Sequence, residues 1–123
     1  MKLDSLYTAD IHEEGSEIRI RDDAGKLTSL YIKVKGIDSI TYRRELKLQK
    51  KKYFEAEQRG SEIDADEFVV DALVACTIGW RGTDEEYSET LCRELYSKAP
   101  YVKEQVDGFM AEKKNFTKPK SKK

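Results

Sequence analysis

Residues 64–82 read DADEFVVDALVACTIGWRG, and how this stretch folds decides how the rest of the chain is arranged. Its apolar residues Phe68, Val69, Val70, Ala72, Leu73, Val74, Ala75, Cys76 and Ile78 fall on nearly every side of a helical wheel, so a helix made of them has to be covered all round. The β-branched content would also suit a strand. Length, an Asp64-x-x-Glu67 start resembling a capping box, and Gly79 as a stop favour a helix. Trp80, the single tryptophan, then sits just past the helix end, between Gly79 and Gly82. Asp71, inside the apolar run, is either a buried functional acid or, as such a residue more often is, the mark of the one face that reaches solvent or an arginine.

Working back from this stretch, Gly60-Ser61 breaks it from a preceding helix. That helix is opened by Asp38 or Ser39 as N-cap and runs to about Gln58. Tyr42, Leu46, Tyr53 and Ala56 lie near one of its faces, and Arg43, Arg44, Lys47, Lys50, Lys51 and Lys52 occupy the others. Before Gly36 the period changes to two. Ile18 and Ile20 alternate with Glu17, Arg19 and Arg21, the chain breaks at Asp22-Asp23-Ala24-Gly25-Lys26, and Leu30, Ile32 and Val34 alternate with Tyr31, Lys33 and Lys35. This pattern predicts a β-hairpin whose apolar face lies on helices, since a two-stranded hairpin is not stable alone in water. The first fifteen residues show no clear period.

Downstream, Thr83-x-x-Glu86 or Ser88 opens a helix carrying Tyr87, Leu91, Cys92, Leu95 and Tyr96. Pro100 fits the first turn of another, with Val102, Val106, Phe109 and Met110 at helical spacing. Phe116 is the last anchored side chain. The predicted fold is α+β and mainly α: an N-terminal β-hairpin packed on a bundle of about four helices. A single domain covers residues 1–116, with a disordered basic tail at 117–123.

Charged and hydrophobic residues each make up 38% of the chain, polar for a globular protein but richer in core formers than a disordered one. No apolar run reaches transmembrane length and no signal-peptide segment opens the chain, which predicts a cytoplasmic protein. Cys76 and Cys92 form no C-x-x-C pair and read as reduced core thiols. The net charge of −1 hides a division. Residues 1–59 carry 13 basic and 11 acidic groups, residues 60–112 carry 4 and 13, and residues 113–123 carry 6 and none. This asymmetry favours interaction with a charged partner.

Signatures of catalysis are sparse. His12 is the only histidine and reads as a solvated loop residue, so neither a nucleophile–histidine site nor a structural zinc site is expected, and no cofactor. Gly79-x-x-Gly82 follows a helix, unlike phosphate-binding loops. Asp84, Glu85, Glu86 and Glu89 match a helix start, where acids favour the macrodipole. The basic run from Arg43 to Lys52 raises a rival function, a small nucleic-acid-binding regulator that would track phosphates along one helix. Glu45 interrupts that run and the sequence pI is near 5.9, so a solvated face or an acidic protein partner is the simpler reading.

Several pieces together resemble the tail assembly chaperones of long-tailed bacteriophages, over most of the chain. They are the hairpin EIRIRDDAGKLTSLYIKVKG, Ile37-Asp38-Ser39 with the basic helix, and the central helix ending Thr77-Ile78-Gly79-Trp80-Arg81-Gly82. Tyr87-Ser88-Glu89-Thr90-Leu91 follows, then Ala99-Pro100-Tyr101-Val102-Lys103-Glu104-Gln105-Val106 and a closing Asn115-Phe116. The short acidic segment between Gly82 and Ser88 departs from the family pattern. The resemblance implies a non-enzymatic protein of the host cell cytoplasm, absent from the mature virion, that binds and solubilises the tape-measure protein and recruits tail-tube subunits. It also implies a homo-oligomer, and a longer frameshifted form for which Lys122-Lys123 would suit the slippery codons. Candidate partner-binding residues are Trp80, Arg81, Arg43, Arg44, Lys47, Tyr87, Tyr96 and Tyr101. Tyr31, Tyr87, Tyr96 and Tyr101 could supply apolar surface to a partner, but covering the core is the stronger expectation for each of them, as a core role is for Trp80.

Overall fold

Residues 1–117 are described by a computed structural model. A 3-10 turn at Leu3–Leu6 leads into α1 (Ala9–Glu14), β1 (Ser16–Arg21), β2 (Leu27–Val34), α2 (Ile40–Arg59) and α3 (Ala65–Cys76). Then come β3 (Thr77–Arg81), α4 (Glu89–Lys98), α5 (Pro100–Ala111) and a 3-10 turn at Lys113–Phe116. The fold is α+β and mostly helical, as the residue pattern predicts. The expected basic tail, Thr117 apart, lies outside the described residues, as does the Lys122-Lys123 ending.

The hairpin forms where the alternation places it. Ile18 faces Ile32 across the β1–β2 pair. At the turn the Asp22 carboxylate accepts from the amides of Ala24 (3.0 Å) and Lys26 (2.9 Å). The free edge of β1 is covered by α5, where Gln105 bonds the backbone of Arg21 in both directions, each at 2.8 Å. Exposed sheet edges otherwise invite pairing with other chains.

The decisive stretch departs from the helical reading. Asp64 is the N-cap, its side chain accepting from Asp66 N, but no capping box forms with Glu67, and the helix ends at Cys76 rather than Gly79. Residues 77–81 pair antiparallel with β2 as a third strand, Ile32 opposite Trp80 and Tyr31 opposite Arg81, with an irregularity between Lys33 and Val34. Gly79 is therefore a mid-strand residue, and Trp80 lies in the sheet rather than past a helix end. The physical reason is the free edge of β2. A strand of Thr, Ile and Trp gains ladder hydrogen bonds there that a continued helix could not offer.

The switch from helix to strand has no loop, and Thr77 anchors it. Its hydroxyl donates to Leu73 O at 2.6 Å and accepts from the Tyr96 hydroxyl at 2.8 Å. The Tyr87 hydroxyl donates to Thr77 O at 3.3 Å. Around this point lies the core, with Ile20, Ile32 and Val34 from the sheet, Leu73 and Cys76 from α3, Cys92 and Tyr96 from α4, and Val102, Val106 and Met110 from α5. Covering all round holds for Val70–Cys76, whose polar exit is Asp71, paired with Arg93 at 2.6 Å. Both cysteines are free and buried; burial pushes the Cys76 thiol up to about 12 and raises that of Cys92 too.

His12 corrects a second expectation. It is not a solvated loop residue but sits on α1 with 1% exposure. Its ring stacks on Phe116 at 4.9 Å between centroids, and its Nδ1 accepts from Asp38 N at 3.0 Å. A Cβ added at Gly36 would collide with the ring, so the glycine is what admits it. The same junction pairs Glu13 with Lys35 and with Thr41, whose hydroxyl lies at 2.7 Å, and Thr8 with Asp38 at 2.7 Å.

Two predictions follow from these anchors. Thr77→Val leaves the Tyr96 hydroxyl buried without its acceptor and is expected to cost about 1–3 kcal/mol in urea denaturation, against no change if Thr77 merely fills space. The second concerns pH. Burial holds the His12 pKa below its ordinary 6.5, opposed by Asp38 and reinforced by Lys113 and Arg43. For Glu13, burial pushes upward, but hydrogen bonds from Lys35 and Thr41 prevail and hold it at about 2. The unfolded chain thus takes up a proton at His12 before the folded one does. Stability is expected to be full above pH 6.5, to fall as pH drops through the lowered His12 value, and to lose the Glu13 contribution only between 4.5 and about 2. Thermal melts of wild type and His12→Gln across this range separate the two windows.

Candidate functional site

Helix α2 is 20 residues long and packs along α3 by one face. Ser39 caps its start by accepting from Tyr42 N, and Gly60 in the left-handed conformation ends it. Ala56 is its one buried residue, and Gln49 donates to Phe68 O of α3 at 2.8 Å. The apolar face expected from Tyr42, Leu46, Tyr53 and Ala56 is only half covered. Tyr42 is half-buried, but Leu46 is 38% and Tyr53 53% exposed. Beside Tyr53 the chain supplies Ala56 and Ile63, which share a shallow pocket with it, and the first turn of α3, Ala65 to Glu67, is exposed.

At about 100° per residue, Leu46 and Tyr53 share one edge of the buried strip, while Phe54 projects about a quarter turn away among Lys47, Lys50 and Lys51. Phe54 is 61% exposed. Arg43, Arg44, Lys47, Lys50, Lys51 and Lys52 are all exposed, and among the described residues none has a carboxylate partner. The helix therefore presents a cationic face together with partly exposed Leu, Tyr and Phe side chains.

The second surface is a cleft of about 300 Å³ between the sheet and α4, lined by Leu30, Trp80, Leu91, Leu95 and Ala99 and rimmed by Glu85, Glu94 and Lys98. Trp80 reaches it from the helix-facing side of β3, opposite Ile32. Its indole N–H donates to Glu85 O at 2.9 Å, and Tyr87 packs edge-on at 5.0 Å. Trp80 thus packs against the core and also lines an open hollow. The acids before α4 are not a helix start. Ser88 is the N-cap, so Asp84, Glu85 and Glu86 precede the helix as an exposed loop.

The remaining candidates scatter. Arg81 lies on the solvent face of the sheet, bonded to both carboxylate oxygens of Glu17 (2.9 and 3.0 Å) and standing 4.0 Å over the Tyr31 ring. Tyr87 is half-buried behind Trp80. Tyr96 is no surface residue: it is 1% exposed, because its hydroxyl is drawn to Thr77. Burial raises the pKa of both tyrosines, so they stay neutral donors. Tyr101 is exposed near the start of α5. Arg43, Arg44 and Lys47 stand together on α2, Trp80 and Tyr87 stand together at the cleft, and Arg81 and Tyr101 join neither group. Sequence reasoning did not single out Phe54. Its signal was available, since adjacent aromatics on a helix point about 100° apart and cannot both face one core.

No family model matches the chain, and no curated protein and no solved structure matches it. Among the described residues, no helix is long and apolar enough to cross a membrane.

The two surfaces predict opposite responses to truncation. Phe54→Ser is expected to change stability by no more than about 0.5 kcal/mol, whereas Trp80→Ala is expected to cost about 2 kcal/mol, since only part of the indole is buried. Urea titration measures both, and a large loss at Phe54 would show that α2 is covered there.

Proposed function

We propose that this protein is a tail assembly chaperone of a long-tailed bacteriophage. It binds and solubilises the tape-measure protein and recruits tail-tube subunits in the host cell cytoplasm, without catalysis and without entering the mature virion. The observation that carries this reading is the stripe of Leu46 and Tyr53 left open on a cationic helix. An uncovered apolar stripe on an otherwise charged body is what a holding protein needs: surface for the apolar side chains of a long client, and charge to keep the complex in solution. The chain-long resemblance of the hairpin, the Gly-Trp-Arg-Gly segment and the Pro-Tyr-Val-Lys-Glu-Gln-Val segment supplies the client's identity.

A second reading, a nucleic-acid-binding regulator, draws on the six α2 cations that lack carboxylate partners. It requires retention on DNA or RNA that weakens steeply with salt; absence of retention at low salt removes it.

Co-expression tests the leading reading. Soluble tape-measure protein is expected to rise several-fold when this chain is present, and to fall back to the level without it when Leu46→Ser and Tyr53→Ser are combined. Both positions are partly exposed, and unchanged circular dichroism and urea midpoint are the control that the variant folds. Recovery that is indifferent to the chain, or to the double substitution, contradicts the proposal.

A further inference from the structure

The side of Trp80 that the core leaves bare looks into the cleft of about 300 Å³, whose apolar walls are Leu30, Leu91, Leu95 and Ala99. Leu91, Leu95 and Ala99 stand about one turn apart along α4 and its C-cap, all half-buried. The hollow therefore runs along that helix for about 12 Å. Its volume is at the lower end for small-molecule sites, and its polar lining is confined to Thr83, Glu85, Glu94 and Lys98. Such a hollow suits one or two large apolar side chains of a peptide rather than a whole cofactor.

The charges around it have one sign. From Thr83 to Ala99 the chain carries five carboxylates, Asp84, Glu85, Glu86, Glu89 and Glu94, against Arg93 and Lys98. Both cations are already engaged, Arg93 with Asp71 and Lys98 with Glu94. Asp84, Glu85, Glu86 and Glu89 are exposed and take part in no ion pair among the described residues. The bond from the Trp80 indole to Glu85 O at 2.9 Å holds the acidic loop beside the hollow. The Thr83 hydroxyl donates to the Glu85 carboxylate at 3.0 Å and orients it. This surface is the electrostatic opposite of α2, so the two select different partners.

We propose that the cleft is a docking site for a short basic segment of another protein, in which one or two large apolar side chains adjoin lysines or arginines. The apolar side chains enter between Trp80, Leu91 and Leu95 and supply the anchor. The cations meet Asp84, Glu85 and Glu86, which speeds encounter, sets the direction of the segment and rejects acidic sequences. The site is separate from the stripe of Leu46 and Tyr53 and does not depend on what that stripe holds.

Trp80 is the only tryptophan, so the intrinsic emission of the full chain reports on this cleft alone. A capped synthetic peptide, LFKKKK, is expected to shift the emission to the blue saturably, and the shift is expected to need more peptide as salt screens the charges. GGKKKK, without the anchor, and LFEEEE, with the charge reversed, are each expected to bind at least about tenfold more weakly. D84N/E85Q/E86Q, at exposed positions and with the backbone carbonyl that Trp80 bonds retained, is expected to weaken LFKKKK about tenfold with unchanged circular dichroism. Leu46→Ser combined with Tyr53→Ser is expected to bind the peptide as wild type does, so a failed client test and a failed peptide test are told apart.

Four results overturn the inference. They are an emission that LFKKKK leaves unchanged up to about millimolar, equal binding of LFEEEE, equal binding of GGKKKK, and a triple variant that binds as tightly as wild type. An emission that shifts with protein concentration alone, together with a rising mass in sedimentation, also overturns it and assigns the cleft to a second copy.

Discussion

A single buried threonine holds the place where α3 turns into β3 with no loop between them. Thr77 keeps its hydroxyl on the last helical turn through Leu73 O while its backbone is already extended, and Tyr96 closes the remaining valence. From that point the other elements take their places. β3 completes the sheet at the free edge of β2, which brings Trp80 opposite Ile32. Tyr87, bonded to Thr77 O, draws the chain back beneath Trp80. Tyr96 sets the depth of α4, and α5 follows through the shared residue Ala99. A network of buried hydroxyls with every member satisfied is rigid and specifies one arrangement.

The open surfaces follow from this frame. Helix α3 packs on α2, α4 and α5, and Ala56 is the one residue of α2 that this packing buries. Ala56 and Ile63 share a shallow pocket with Tyr53 but leave it 53% exposed. The long helix therefore keeps a stripe and a cationic face in solvent, and at the other surface the indole of Trp80 is packed on one side and bare on the other. Both exposures are consequences of how the core is built.

How far the fold was legible in the sequence depends on how local each decision was. Hairpin strands could be read because Ile18, Ile20, Ile32 and Val34 alternate with charge around a glycine turn. The caps of α2 and the proline start of α5 were equally local. β3 was not legible, because Thr77 and Ile78 continue the helical pattern and only the distant edge of β2 decides against it. His12 looked solvated because its acidic neighbours said nothing of Gly36 or Phe116, which come from far along the chain. At the candidate site, Arg43, Arg44 and Lys47 could be read as exposed from charge alone. A core-covering role for Tyr96 could be read from its spacing with Leu91, Cys92 and Leu95, but not its bond to Thr77, and the cleft joins residues of several elements that no spacing links.

The proposed client site is the stripe of Leu46 and Tyr53 on α2. A photo-crosslinking amino acid in place of Tyr53, in cells making the tape-measure protein, tests it most directly. The same substitution at Tyr101, exposed on α5, serves as the comparison. Crosslinks to the tape-measure protein from position 53 and few from position 101 are predicted. Crosslinks from position 101 with none from position 53 would contradict the account.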